Sequence, residues 1–211
     1  MKNLIAGMVA VSALGAGAMA DIEITEAFVG LSGEDGTSDW FEITWTGAGT
    51  FDTGTLWYDD DSADFASADQ LSSIILNTGE SAVFIIDDAS GFADFTAVWG
   101  GGILLGFADG SGLGQGGDGI TLFDAGGTII ESVVTVGEHT GVGGVFATFQ
   151  YDAAGNQTDS VLGVNGAYQS GVFMDEDEGA RSLIGSPGRV PAPGSAALLA
   201  LGGLVGARRR R

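Results

Sequence analysis

The stretch Phe41-Glu42-Ile43-Thr44-Trp45-Thr46 alternates apolar and polar side chains with a period of two, and that period constrains the fold more than any other feature of the chain. Successive side chains on a strand point to opposite faces, whereas a helix would scatter the same residues around its circumference. Ile22 and Ile24 alternate with Glu23 and Thr25 in the same way. Further apolar runs, each closed by turn residues, follow at "GTLWYDDD", "SIILNTGESAVFIID", "GITLFDAGGTIIESVVTV" and "GVFATFQYDAAGN". The expectation is an all-β fold of eight or nine short strands, a β-sandwich whose sheets bury one face and turn the polar face to water. Asn77-Thr78-Gly79-Glu80 and Ala125-Gly126-Gly127-Thr128 each read as a hairpin turn between two strands.

Glycine supports this reading. The chain has 38 glycines and 3 prolines among 211 residues, and a glycine inside a helix costs about 1 kcal/mol relative to alanine. One stretch departs from the pattern: Phe92, Phe95, Val98 and Trp99 recur at spacings of three and four. They predict a short amphipathic helix with Ser90 as its cap, Gly100 as its stop and its aromatics plugged into the core. The run "GGGILLGFADGSGLGQGGDG" behind it reads as a glycine-rich loop. No second domain boundary and no internal repeat is visible.

All 28 acidic residues fall between Asp21 and Arg189, where Arg181 and Arg189 are the only cations, so this span carries a formal charge of −26. Such a surface repels phosphate backbones and anionic headgroups, which excludes nucleic-acid binding by the body of the chain. It suits salty surroundings, where the Debye length shrinks to about 3 Å at 1 M. With no cysteine, the chain has no disulfide framework, no thiolate metal site and no cysteine nucleophile.

Both ends read as addresses. Lys2, an apolar stretch from Leu4 to Leu14 and the small-x-small triplet Ala18-Met19-Ala20 make residues 1–20 a signal peptide in helical form, with cleavage after Ala20 leaving Asp21 as the mature N-terminus. At the other end, Ser195 to Ala207 is an uncharged stretch of 13 residues followed by Arg208 to Arg211. As a short apolar helix it spans about 20 Å against a hydrocarbon core of roughly 30 Å, with the arginines held on the cytoplasmic side. It reads as a transient or tail-anchored membrane contact.

Val190-Pro191-Ala192-Pro193-Gly194, then the apolar stretch, then the arginine cluster, resembles the PEP-CTERM sorting signal. The resemblance covers residues 190–211 and implies an exosortase-like processing enzyme acting around Pro191, Pro193 and Gly194. Ala192 stands where that family has an acidic residue. Within residues 21–189, "IEITEAFVG", "DWFEITWTG", "GTLWYDDD", "LNTGESAVFII", "GDGITLFDAGGTIIESV" and "IGSPG" resemble, in this order, a bacterial secreted lamin-tail domain. Its most telling pieces are Trp40-Phe41-Glu42, Gly79-Glu80 and Ser186-Pro187-Gly188. The resemblance implies an immunoglobulin-like sandwich used for attachment. Trp45 and the acidic segment near Asp175 depart from the family pattern.

Chemistry is sparse. His139 is the only histidine and no Gly-x-Ser-x-Gly elbow exists, so a serine triad has no basis and His139 reads as a loop residue. Gly112, Gly114 and Gly117 spell GxGxxG, but "DGITLFD" after them reads as a strand, not the helix a dinucleotide site needs. Three acidic clusters remain: Asp59, Asp60, Asp61 and Asp64; Asp87 and Asp88; and Asp175, Glu176, Asp177 and Glu178. Calcium takes six to eight oxygens, so Asp59, Asp61, Asp64, Asp175 and Asp177 are candidate ligands. None forms a complete motif, and charge blocks usually remain solvated. Asn156-Gln157-Thr158 is a glycosylation sequon that reads as a polar turn.

The expected function is an exported, non-enzymatic attachment or interaction protein of the cell surface or extracellular matrix, with exopolysaccharide or a surface protein as partner. It competes with two readings: a surface hydrolase using loop carboxylates in pairs, and a periplasmic binding domain anchored by its tail.

Overall fold

Glu42 and Ile43 lie on opposite faces of one strand, yet they are 1% and 0% exposed. This corrects the expectation of sheets with one wet face. The central sheet is covered on both sides, and its polar side chains lie inside. The computed structural model describes residues 21–30, 37–110, 112–135, 141–175 and 179–189.

In chain order the strands begin with β1 (Ile22–Phe28), β2 (Trp40–Trp45), β3 (Thr50–Asp52), β4 (Leu56–Asp59), β5 (Asp69–Gln70), β6 (Ile75–Asn77) and β7 (Ser81–Ile86). The helix α1 (Gly91–Trp99) leads into β8 (Leu105–Ala108), β9 (Asp118–Asp124) and β10 (Ile129–Thr135). Then come β11 (Gly141–Val142), β12 (Val145–Ala147), β13 (Phe149–Tyr151) and β14 (Gln157–Asp159), followed by β15 (Tyr168–Gln169), β16 (Phe173–Asp175) and β17 (Gly179–Gly185). The all-β class stands. The strands among the described residues outnumber the eight or nine expected because many have only two or three residues, too short to carry a period.

The central sheet has the order β14-β13-β1-β2-β7-β8. One face packs Ile24, Phe41, Ile43 and Phe84 against Leu56, Tyr58, Ile120 and Leu122 of the four-stranded sheet β10-β9-β4-β5. The other packs Phe28, Trp40, Val83 and Ile85 against Phe95, Val98 and Trp99 of α1 and against Leu183 of β17. Trp40 anchors that second layer, with edge-on contacts to Phe95 and Trp99 at centroid distances of 5.7 and 6.0 Å. β17 belongs to a further sheet, β11-β12-β17-β15, with β16 also paired to β17.

The parity of β1 is changed midway. Ile22 and Ile24 face the four-stranded sheet, and uninterrupted alternation would send Glu26 and Phe28 there as well. A register shift between Ile24 and Glu26 instead sets Ala27 on that face and pairs Glu26 with Glu42 and Phe28 with Trp40. A bulge does this because one extra residue reverses which face each later side chain meets.

Three local expectations are corrected. Asn77–Glu80 is a tight turn, with Glu80 N–H donating to the Asn77 carbonyl at 2.8 Å, but not a hairpin: β6 pairs with β3, and β7 pairs with β2 and β8. The glycine-rich stretch after the helix holds strand β8, parallel to β7. Parallel neighbours need a crossover, which is the physical role of α1. Ser90 occupies the cap position of α1, but its side chain makes no capping bond; Asp88 instead accepts Ser90 N–H at 2.6 Å. The hairpin at Ala125–Thr128 stands, joining β9 and β10 antiparallel. Phe95, Val98 and Trp99 are buried as expected.

Candidate functional site

The acidic run that ends β4 folds back around its own first carboxylate. Asp59 is 7% exposed and accepts from Ser62 Oγ at 2.6 Å, Asp64 N–H at 2.7 Å and Ser67 Oγ at 3.2 Å. Asp60 accepts from Ser62 N–H and Asp64 from Ala66 N–H, each at 3.0 Å. Asp61 donates its N–H to Asp118 Oδ1 at 3.1 Å, tying the loop to the start of β9. Short acidic side chains form loops this way because each can satisfy backbone N–H groups one or two residues on.

The result is a pocket of about 210 Å³ lined by Tyr58, Asp59, Asp60, Asp61, Ser67 and Asp69 beside Gly110. Its field is negative throughout. Burial pushes the Asp69 carboxyl up, with Asp109 and Asp59 adding repulsion. Burial pushes the Tyr58 hydroxyl up too, reinforced by Asp118, Asp60, Asp39 and Asp59. Among the described residues no three acidic or histidine side chains converge as a metal-holding group.

Of the candidate calcium ligands, the structure brings Asp59, Asp61 and Asp64 into one loop, with Asp61 and Asp64 exposed. Asp175 ends β16 opposite Gly179, in a different sheet. Asp177, the processing residues Ala18, Ala20, Pro191, Pro193 and Gly194, and His139 lie outside the described residues. The glycines of the GxGxxG match run directly into β9, so no helix N-terminus follows them.

Pattern reading missed the buried carboxylate pair. Glu26 and Glu42, each 1% exposed, sit opposite each other on β1 and β2. Glu26 accepts from Thr148 Oγ1, from Ser186 N–H at 2.9 Å and from Ser186 Oγ at 2.8 Å. Glu42 accepts from Gly188 N–H and from Thr25 Oγ1 at 2.7 Å. The Glu42 strand and the segment Ser186-Pro187-Gly188 are thus in contact. Burial raises both carboxyls, to about 7 for Glu26 and about 8 for Glu42, whose rise also reflects the charge of Glu26. The glutamates line neither the acidic pocket nor a second, apolar pocket at Trp45. No helix among the described residues is long and apolar enough to cross a membrane. Comparison with protein-family models, curated proteins and solved structures returns no match.

Proposed function

We propose that this chain is an exported, non-enzymatic attachment protein of the cell surface or extracellular matrix, an immunoglobulin-like sandwich sorted through its C-terminal signal. The observation that carries the reading is the acidic loop. Its innermost carboxylate, Asp59, is spent on two hydroxyls and an N–H of its own loop, which suits a shaped display surface. A general acid needs its carboxyl within reach of a substrate. The negative pocket favours polyhydroxylated or cationic groups on a partner, such as exopolysaccharide or a surface protein, over anionic ones. The exosortase-like enzyme would act on residues that follow Arg189, which ends the strap held by the buried glutamates.

Fractionation and intact mass of the natural protein test the address. A form starting at Asp21, ending near Pro191 to Gly194 and found outside the cell is expected; one retaining Arg211 in the membrane fraction would replace matrix attachment by tail anchoring. A broad hydrolase screen tests the rest: activity abolished by Asp59→Asn or Asp61→Asn with the fold intact would overturn the non-enzymatic reading.

A further inference from the structure

The second pocket, about 260 Å³, opens beside the start of β1 and is lined by Ile22, Trp45, Phe51, Leu56 and Ile130, with Asp124 and the turn after it at the rim. Its aromatic wall is preformed. Trp45, 8% exposed, stacks on Phe51 with centroids 4.9 Å apart and planes 20° apart. Its indole N–H donates to the Gly49 carbonyl at 3.1 Å. Gly47 lacks a side chain where a Cβ would overlap the Trp45 ring, so the indole can lie flat over the turn.

The hydroxyl proton and one carboxylate oxygen at the rim are already committed. Thr55 Oγ1 donates to the Asp52 carbonyl at 2.7 Å, and Asp124 Oδ1 accepts from Gly126 and Thr128 N–H at 2.8 Å each. These backbone donors hold the Asp124 carboxyl below its usual range, led by Thr128, so it is charged at neutral pH. A sugar ring needs several directional partners, donors among them, and the indole N–H and the Thr55 hydroxyl proton are both given to backbone carbonyls, while the second carboxylate oxygen of Asp124 serves as an acceptor at the mouth. What the pocket offers is apolar wall plus one negative charge at the mouth. Pockets for drug-sized ligands run from about 300 to 1,000 Å³, so this one takes a single ring or branched side chain. The body around it carries a formal charge of −26, which steers a cationic partner toward it and repels an anionic one.

We infer that the Trp45–Phe51 pocket is an anchor site for one aromatic or branched apolar side chain carried on a cationic polypeptide. The apolar side chain fills the pocket as the buried anchor of an interface does, and a flanking Lys or Arg meets Asp124. This goes beyond the attachment reading above, and its readout does not depend on the address or on the acidic loop.

The test is a two-dimensional NMR titration of the full chain with three capped tripeptides, Lys-Phe-Lys, Lys-Ala-Lys and Glu-Phe-Glu. Expected are shifts of the Trp45 indole N–H and the Gly126 and Ile130 amides with Lys-Phe-Lys, and at least tenfold weaker responses with the other two. Asp124→Asn should narrow the gap between Lys-Phe-Lys and Glu-Phe-Glu several-fold. Ala125→Phe, at an exposed rim position, should fill the mouth and abolish the response while leaving the spectrum of the core in place. Equal responses to Lys-Phe-Lys and Lys-Ala-Lys, or shifts spread over the acidic loops and absent from Trp45, would reduce the interaction to charge alone and overturn the anchor. Nuclear Overhauser contacts from residues before Asp21 to the Trp45 ring would overturn it too, by making the chain its own occupant.

Discussion

Stability should fall as pH rises from 5 to 8 because of Glu26 and Glu42. Their folded pKa values, about 7 and about 8, lie above the ordinary 4.5, so the folded state keeps protons that the unfolded chain has released. A raised carboxyl contributes stability that is fully present below its unfolded pKa and is lost as pH rises through its folded pKa. Each retained proton corresponds to about 1.4 kcal/mol per pH unit, so even one gives roughly 3 kcal/mol between pH 5 and 7. For a domain of this size that is a fall in Tm of roughly 5–10 °C. Each carboxyl has a hydroxyl partner that can accept its proton. Glu26 faces the Ser186 N–H, which can only donate, and Ser186 Oγ, which takes a bond from Gln150 Nε2 at 2.9 Å and passes its own proton on. Glu42 faces Thr25, whose hydroxyl lies 3.1 Å from Thr44 Oγ1, itself 2.7 Å from Ser81 Oγ. That hydroxyl chain can reverse, so a protonated Glu42 can donate into it; the Thr148 hydroxyl, 2.7 Å from Ser160 Oγ, gives a protonated Glu26 the same option. Tyr168, whose hydroxyl is raised by burial, feels the charge of both glutamates, and Arg189 lies over its ring at 4.1 Å. Thermal unfolding followed by near-ultraviolet circular dichroism at constant ionic strength, at each pH unit from 5 to 9, reads the slope. Glu42→Gln, which mimics the protonated form, should cut it by at least half. A wild-type Tm that is flat or rising from pH 5 to 8, or an unchanged slope in Glu42→Gln, would refute the reasoning.

Other expectations test the packing and the loop. Gly185→Ala would place a Cβ 2.5 Å from Glu26 Oε1 and 2.8 Å from the Trp99 ring; urea unfolding should show a loss of about 1–3 kcal/mol, the usual cost of overpacking. Phe95→Ala removes the side chain that α1 plugs against Trp40, and the same assay should show about 3–5 kcal/mol. Asp59→Ala leaves Ser62, Asp64 and Ser67 without their shared acceptor; hydrogen exchange should lose protection at Asp64 and quicken through residues 60–67 while β1 and β2 remain protected. Calcium chloride and sodium chloride at equal ionic strength should raise Tm by similar amounts if the acidic face is only screened; saturable extra stabilisation by micromolar calcium would instead mark a specific site.

The acidic site was half legible. The run Asp59-Asp60-Asp61 announced a charged loop, since few other arrangements keep three consecutive carboxylates solvated. What it did not announce is that Asp59 points inward as the loop's common acceptor, because that depends on Ser62 and Ser67, which look like ordinary turn residues in the sequence. The turn at Asn77–Glu80 misled for a related reason. Its local bonds, including Glu80 Oε2 accepting from Asn77 N–H at 2.8 Å, would suit a hairpin. Pairing partners are decided by distant strands, and β3 competes successfully for β6.

The buried glutamates were hidden by the very period that revealed the strands. Alternation assigns Glu23, Thr25, Glu42 and Thr44 to a polar face, and a polar face is ordinarily the wet one. Nothing in β1 or β2 tells that face to expect a cover; the cover is made by α1, β17 and the Ser186–Arg189 strap, all of which follow later in the chain. Burying two carboxylates is tolerable only because donors meet them: the Ser186 N–H and hydroxyl and the Gly188 N–H from that cover, the Thr25 hydroxyl from β1 and the Thr148 hydroxyl from between β12 and β13. A buried acid without such partners would cost several kcal/mol. The bulge at Thr25 completes the arrangement, for without its parity change Glu26 would enter the apolar layer with Ile24 and have none of these donors. The strap ending at Arg189 is therefore part of the fold and not a tether hung from it, and the stretch that reads as a sorting signal begins at the next residue.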